Sequence, residues 1–356
     1  MSPRGLGLSL SVLLPLVFVM VSPLVQASTP VSGQMVLDVS TKTWEAAVVG
    51  RPSVIYDGSS FMMWYHGETV AGVDSIGLAT STDGISWSRY LGNPVLKPGS
   101  GWDANSVLEP WVIFQAGQYK MWYTGQTMSN GQVTAQAIGY ASSSDGIHWT
   151  EYSGNPVLAA GPHGAWDDRG AWLPVVVPTG SSYVMYYRGI TGDLGQTGMA
   201  TSSDGVHWTK GSVISIPRGA SGWDSYIQRV TSVTKVGGVY TMWYDGRKGS
   251  NAISEIGCAN STEGISWNVF PNNPVITRGS SGGWDSGGVW DAMPVSLGDK
   301  YYVYYSSFVG SSKLAIGLAI LPMSQYPIPE FPLAITMAAA AVIMTGLALK
   351  RNKWQR

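Results

Sequence analysis

The 356-residue chain has one cysteine, four histidines and only 12% charged residues, with a formal net charge of −1. A lone Cys excludes a disulfide framework and a thiolate metal cluster. Four scattered His residues give no metal-binding motif, so no metal ligands are assigned. No basic run interrupts the middle of the chain, which argues against a nucleic-acid partner. The charged share is about half the ~25% of an ordinary soluble domain. What the chain has in excess is glycine (45) and tryptophan (16). Its 44% hydrophobic content is enough for a large core. This composition predicts short strands and tight turns, not helices.

Both ends read as targeting segments. Arg4, the apolar stretch from Leu6 to Val21 and Val25-Gln26-Ala27 have the order of a secretory signal over residues 1–27, cleaved after Ala27. At the other end, a Pro-rich linker (322–332) precedes an uncharged run from Leu333 to Leu349 and a basic tail (350–356). The run is long enough for a transmembrane helix, with the tail in the cytoplasm. The reading is a monomeric ectodomain on the outer face of the membrane. Pro329-Glu330-Phe331-Pro332 resembles the Pro-Glu-Phe sorting tails of archaeal surface proteins, which implies export and anchoring.

Between these ends the chain repeats itself five times. A Trp followed by an acid stands at Trp44-Glu45, Trp102-Asp103, Trp166-Asp167, Trp223-Asp224 and Trp284-Asp285. Each is followed at a constant interval by an aromatic pair: Trp64-Tyr65, Trp122-Tyr123, Tyr186-Tyr187, Trp243-Tyr244 and Tyr304-Tyr305. A short strand of the Ile-Gly-Leu-Ala type comes next. Four units then continue into a turn such as STDGISW at 81–87, and three close on Asn-Pro-Val. Four short strands per unit, repeated radially, predict an all-β, five-bladed β-propeller over 44–321. The fifth unit lacks its turn and last strand, so the segment 28–43 is expected to supply that strand and close the ring. The turns resemble the Asp-box turns of sialidase propellers, a local and structural likeness. Twelve of the sixteen Trp fall in repeated columns and read as packing between blades.

The columns that vary are the candidates for chemistry. Seven residues after the repeat Trp the inner strands carry Arg51, Glu109, Leu173, Val230 and Asp291. Gln228 and Arg169 vary in columns just before it, and Trp172 and Trp290 stand beside it. After the aromatic pairs come His66, Thr124, Arg188, Asp245 and Ser306, with Arg247 close by. Carboxylates, guanidinium groups and unassigned aromatics at one rim suit a sugar. Glycosidic cleavage needs a proton donor and a base or nucleophile. Glu109 is expected as acid and Asp291 as base, with Asp245 the third candidate. Arg51, His66, Arg169, Trp172, Arg188, Gln228, Arg247 and Trp290 are expected to bind substrate. Arg51, Glu109 and Asp291 also read as a buried ion-pair cluster, so a non-catalytic propeller that binds glycan or a protein stands as the alternative.

Five such units, with Pro52, Pro110 and Pro174 after the inner-strand column, resemble the five-bladed glycoside hydrolase superfamily. That group includes arabinanases, β-xylosidases, invertases, levansucrases and mannoside phosphorylases. The resemblance implies action on glycosidic bonds, by hydrolysis or phosphorolysis. No cofactor is expected, although some members of that group hold a structural calcium ion. The chain departs from the group where an Asp commonly precedes the first Pro: that position is Arg51.

Overall fold

The computed structural model describes residues 31–326, apart from 192–194, 219–221, 251 and 310–312. Each repeat folds as one antiparallel sheet. Blade 1 is Val48–Tyr56, Phe61–Glu68, Asp74–Ser81 and Ser88–Arg89. Blade 2 is Ser106–Gln115, Gln118–Ser129, Gln132–Ser143 and Thr150–Glu151. Blade 3 is Gly170–Thr179, Ser182–Ile190, Gln196–Ser202 and Thr209–Val213. Blade 4 is Ile227–Val236, Val239–Arg247, Glu255–Ser261 and Asn268–Val269. Blade 5 is Val289–Leu297, Lys300–Val309 and Lys313–Pro322, completed by Gln34–Leu37 from the N-terminal side. The first strand of each blade packs on that of the next, and blade 5 packs back on blade 1. The signal segment 1–27 and the predicted helix 333–349 lie outside the described residues. No described helix is long and apolar enough to cross a membrane.

The repeated residues explain themselves as packing. Within each blade the Trp of the Trp-acid pair lies on the second aromatic of the pair, with ring centroids 5.1–5.7 Å apart. The acid accepts that Tyr hydroxyl, as in Tyr65 to Glu45 at 2.8 Å and Tyr187 to Asp167 at 2.9 Å. The same Trp ring covers the glycine of the third strand. A Cβ on Gly77 would come within 2.3 Å of Trp44, and one on Gly317 within 2.2 Å of Trp284. Five of the twelve repeated Trp residues therefore pack inside their own blade rather than between blades.

The other two columns hold the blades together. Trp64 donates its indole N–H to Gly146 O of the next blade's turn, and Trp122 to Gly205 O, both at 2.8 Å. Tyr186 reaches Gly264 O at 2.8 Å, and Tyr304 reaches Gly84 O at 2.9 Å. Blade 4 faces the unit that lacks this turn. There Tyr326, just past the last strand, packs against Trp243 and Phe270, with centroids 6.5 and 6.0 Å away. Met323 donates its N–H to Asp299 O at 2.8 Å, which fastens this segment to the hairpin between the first two strands of blade 5. Cys258 is a buried core residue and burial pushes its thiol pKa up, so it is no nucleophile.

Candidate active site

The site is built on a defect that recurs in each inner strand. Pairing with the second strand slips by one residue between Gly50 and Ser53, Leu108 and Trp111, Trp172 and Val175, Val230 and Ser232, and Trp290 and Met293. Such bulges re-aim side chains. At the bulge Arg51, Glu109, Leu173 and Asp291 adopt φ of 51°, 58°, 53° and 58°. That conformation costs a non-glycine residue on the order of 1–3 kcal/mol and persists only where neighbours enforce it. The neighbours are the residues after the aromatic pairs. Arg51 N–H donates to Ser306 Oγ at 2.9 Å, Leu173 N–H to Thr124 Oγ1 at 3.1 Å and Asp291 N–H to Asp245 Oδ1 at 3.4 Å. Two members of that column do not take this job. Arg188 has no acceptor atom, and His66 is turned to Asp74.

The bulges bring alternating charges to the centre. Arg51 Nη1 lies 2.8 Å from Glu109 Oε1 and 3.4 Å from Asp291 Oδ1. Arg229 Nη2 lies 3.1 Å from Asp291 Oδ1 and 3.2 Å from Asp245 Oδ1. Glu109 Oε2 also accepts the Thr124 hydroxyl at 2.7 Å and Leu173 N–H at 3.0 Å. The three acids are buried, and the two arginines are mostly so. A calcium cage needs six to eight free oxygens. These carboxylates are engaged by guanidinium groups instead, so the channel does not fit the calcium that the resemblance allows.

A pocket of about 520 Å³ opens above this cluster, within the usual range for a small ligand. Trp172, Arg188, Arg229, Asp245, Arg247 and Trp290 are on its wall. Trp172 lies between Arg51 and Arg188, whose guanidinium carbons sit 5.9 and 5.8 Å from its ring centroid. Arg188 Nη1 and Arg247 Nε are buried without a hydrogen-bond partner among the described residues. Burial lowers the Arg188 pKa to about 10, and the nearby charge of Arg229 adds to this. Burial opposes the charge on Arg229, but Asp245 and Asp291 outweigh it and hold its pKa above the ordinary value. Asp245 is pushed upward, by burial first; Arg229 pulls against this, and Asp291 adds to it. Glu109 and Asp291 line the narrow throat below, with Arg51.

Most of the residues expected at this site converge here: Arg51, Glu109, Asp291, Asp245, Trp172, Arg188, Arg247 and Trp290. Three lie elsewhere. His66 is buried in blade 1 against Asp74, with Nε2 2.5 Å from Oδ1. Gln228 borders a neighbouring pocket and donates to Asp224 Oδ2 at 2.9 Å. Arg169 is exposed on the loop leading into blade 3. Arg229 is the residue that sequence reasoning missed. It occupies the column of Trp172 and Trp290, and that column was the available signal. Strict alternation along a strand assigns this column to the opposite face, and the bulge overrides alternation.

Comparison with known proteins agrees with this architecture. Residues 31–208, half of the chain, match the model of glycoside hydrolase family 130, described as beta-1,4-mannooligosaccharide phosphorylase. An uncharacterized protein of Mycobacterium tuberculosis, Rv1502, is 30% identical over 202 residues, which are 54% of this chain and 65% of that protein. The chain thus spans 65% of that relative's length, less than two thirds. Among solved structures, a glycosyl hydrolase from Bacteroides ovatus superposes with a TM-score of 0.63 at 18% identity, over 82% of this chain and 95% of that one. A second structure has a TM-score of 0.61 at 18% identity, over 82% and 95% of the two chains. Its description states that the GH130 family of mannoside phosphorylases contains glycoside hydrolases that target beta-1,2 mannosidic linkages in Candida mannan.

Proposed function

We propose that this chain, which belongs to glycoside hydrolase family 130, the beta-1,4-mannooligosaccharide phosphorylase family, cleaves mannose-containing glycans by transferring the glycosyl group to inorganic phosphate. The observation that carries this reading is the pair of unpartnered buried guanidinium nitrogens on Arg188 and Arg247, in the same pocket as Asp245. Hydrolysis requires a carboxylate to activate water. Phosphate is already an anionic nucleophile and needs a cationic seat, not a base. Glu109 and Asp291, tied to Arg51, serve this scheme better as fixed negative charge than as acid and base.

In this scheme Trp172 and Trp290 hold the sugar, and Arg188 and Arg247 hold phosphate below the anomeric carbon. A phosphate oxygen bonds to that carbon as the glycosidic C–O bond breaks. Asp245, whose carboxyl pKa burial pushes upward, gives its proton to the departing oxygen. The remaining acidic proton of the new phosphate ester restores Asp245. The products are a sugar 1-phosphate and a shortened glycan.

A non-catalytic glycan-binding reading draws on one observation, that each channel carboxylate is paired with an arginine. The test is sugar release from manno-oligosaccharides by the full chain, with and without phosphate. Phosphate-dependent sugar 1-phosphate, lost in Asp245→Asn, is the expected result. Release of free sugar without phosphate overturns phosphorolysis. No release, with glycan binding retained, establishes the binding reading. We place the activity on the outer face of the membrane on the strength of the apolar segments near both ends of the sequence. Recovery of full-length chain in the soluble cytoplasmic fraction overturns that placement.

A further inference from the structure

We propose that His66, Glu68 and Asp74 form a binding site for a divalent transition-metal ion, of the zinc or manganese class, at the border of blades 1 and 2. An imidazole nitrogen and two carboxylate oxygens from these residues lie within 4.8 Å of one another. Cross-strand pairing places them. Glu68 pairs directly with Asp74, and His66 lies two residues before Glu68 on the same face of the strand. Asp74 is fixed from the other side, where its N–H donates to Ser106 Oγ of blade 2 at 3.4 Å.

Two further observations point to a ligand. His66 is only 6% exposed, so its imidazole is held beside the two carboxylates away from bulk water. It also stands in the column whose other members mostly support the next blade's bulge, a task it does not perform. Glu68 is half-buried, and none of the described residues gives its carboxylate a hydrogen bond or ion pair. A doubly charged ion seated among the three would give the Glu68 carboxylate the partner that the described residues do not.

The donor set selects the metal class. One nitrogen and two oxygens, with a position left for water, suit a three-ligand zinc or manganese site. Calcium requires six to eight oxygens. Binding would replace the proton shared between His66 Nε2 and Asp74 Oδ1, so metal uptake releases a proton.

The experiment is calorimetric titration of EDTA-stripped, desalted full chain with Zn²⁺, Mn²⁺ and Ca²⁺, paired with thermal midpoints. The expected result is one Zn²⁺ or Mn²⁺ per chain, a raised midpoint and proton release. Affinity should fall at least tenfold in Glu68→Gln, a half-exposed position where the fold tolerates the change, and in His66→Gln. His148→Gln, in an exposed turn of another blade, should bind as the parent does. Absence of saturable binding overturns the proposal. So does equal affinity in Glu68→Gln, or a preference for calcium.

Discussion

Arg229 engages both carboxylate oxygens of Asp245 at 3.2 Å through Nε, and its Nη2 reaches Asp291 at 3.1 Å. One guanidinium thus ties the throat of the channel to the wall of the pocket. Removing it leaves buried Asp245 without its cation and Asp291 with Arg51 alone. Arg229→Met should destabilise the fold by about 3–5 kcal/mol, the usual consequence of breaking a buried pair from one side. Urea unfolding of parent and variant measures this. The double variant Arg229→Met, Asp245→Asn should recover part of the loss.

Arg188 is expected to behave in the opposite way. It is a buried cation whose pKa is lowered to about 10, so the folded state holds its charge at a cost. Between that value and the ordinary arginine range the unfolded chain binds more protons, and stability rises with pH. At neutral pH the cost is fully present. Arg188→Met should therefore raise stability by about 1–3 kcal/mol while weakening phosphate affinity. Thermal midpoints and KM for phosphate separate the two effects.

Asp245 gives a pH signature. Its carboxyl titrates above the ordinary 3.8, so the folded chain binds the extra proton. Stability should fall as pH rises from the ordinary aspartate range to the raised value. Activity that needs the protonated form should fall over the same window. Asp245→Asn should flatten the stability slope and lower kcat by about 10²–10⁴-fold. A pH series of urea midpoints and initial rates checks both.

Two tryptophans outside the repeated columns should respond differently to truncation. Trp172 is partly exposed on the pocket wall between two arginines. Trp111 is 7% exposed and its indole N–H donates to Val176 O at 2.8 Å. Trp172→Ala should weaken glycan binding with little loss of stability. Trp111→Ala should cost about 3–5 kcal/mol of stability. Glycan titration and denaturant unfolding of both variants provide the comparison.

Ring closure is also testable. Gln34–Leu37 is the outer strand of blade 5, Leu37 is 3% exposed, and Gly33 N–H donates to the Tyr305 hydroxyl at 2.9 Å. A chain that starts at Val39 loses these contacts and leaves Lys313–Pro322 as a bare edge. A lower thermal midpoint and concentration-dependent aggregation are expected. An unchanged midpoint would refute the role of closure.

The repeats made the fold legible because each structural job recurs in every blade. Trp44 and its four counterparts announce a stack, and Gly77 and its counterparts announce the ring that covers them. The site was legible where it departs from the repeat, at Glu109, Asp291, Arg188 and Asp245. Arg229 was hidden for a physical reason. Reading a strand by alternate residues assumes regular pleating, and the bulge at Val230 turns adjacent positions toward the same space. His66 was misplaced for another. Its column faces the centre, but a cross-strand acid, Asp74, holds its ring in blade 1.

Tyr326 occupies the gap that the missing turn leaves beside Trp243. That seat adjoins the Leu297–Lys300 hairpin, whereas Trp290 and Phe308 of the same sheet line the pocket at the far end. The two ends are separated by the length of the strands, roughly 30 Å for nine residues. The described residues therefore end at the base of the propeller, and the pocket opens at the crown. Blade 5 stands between the two with the full length of its strands.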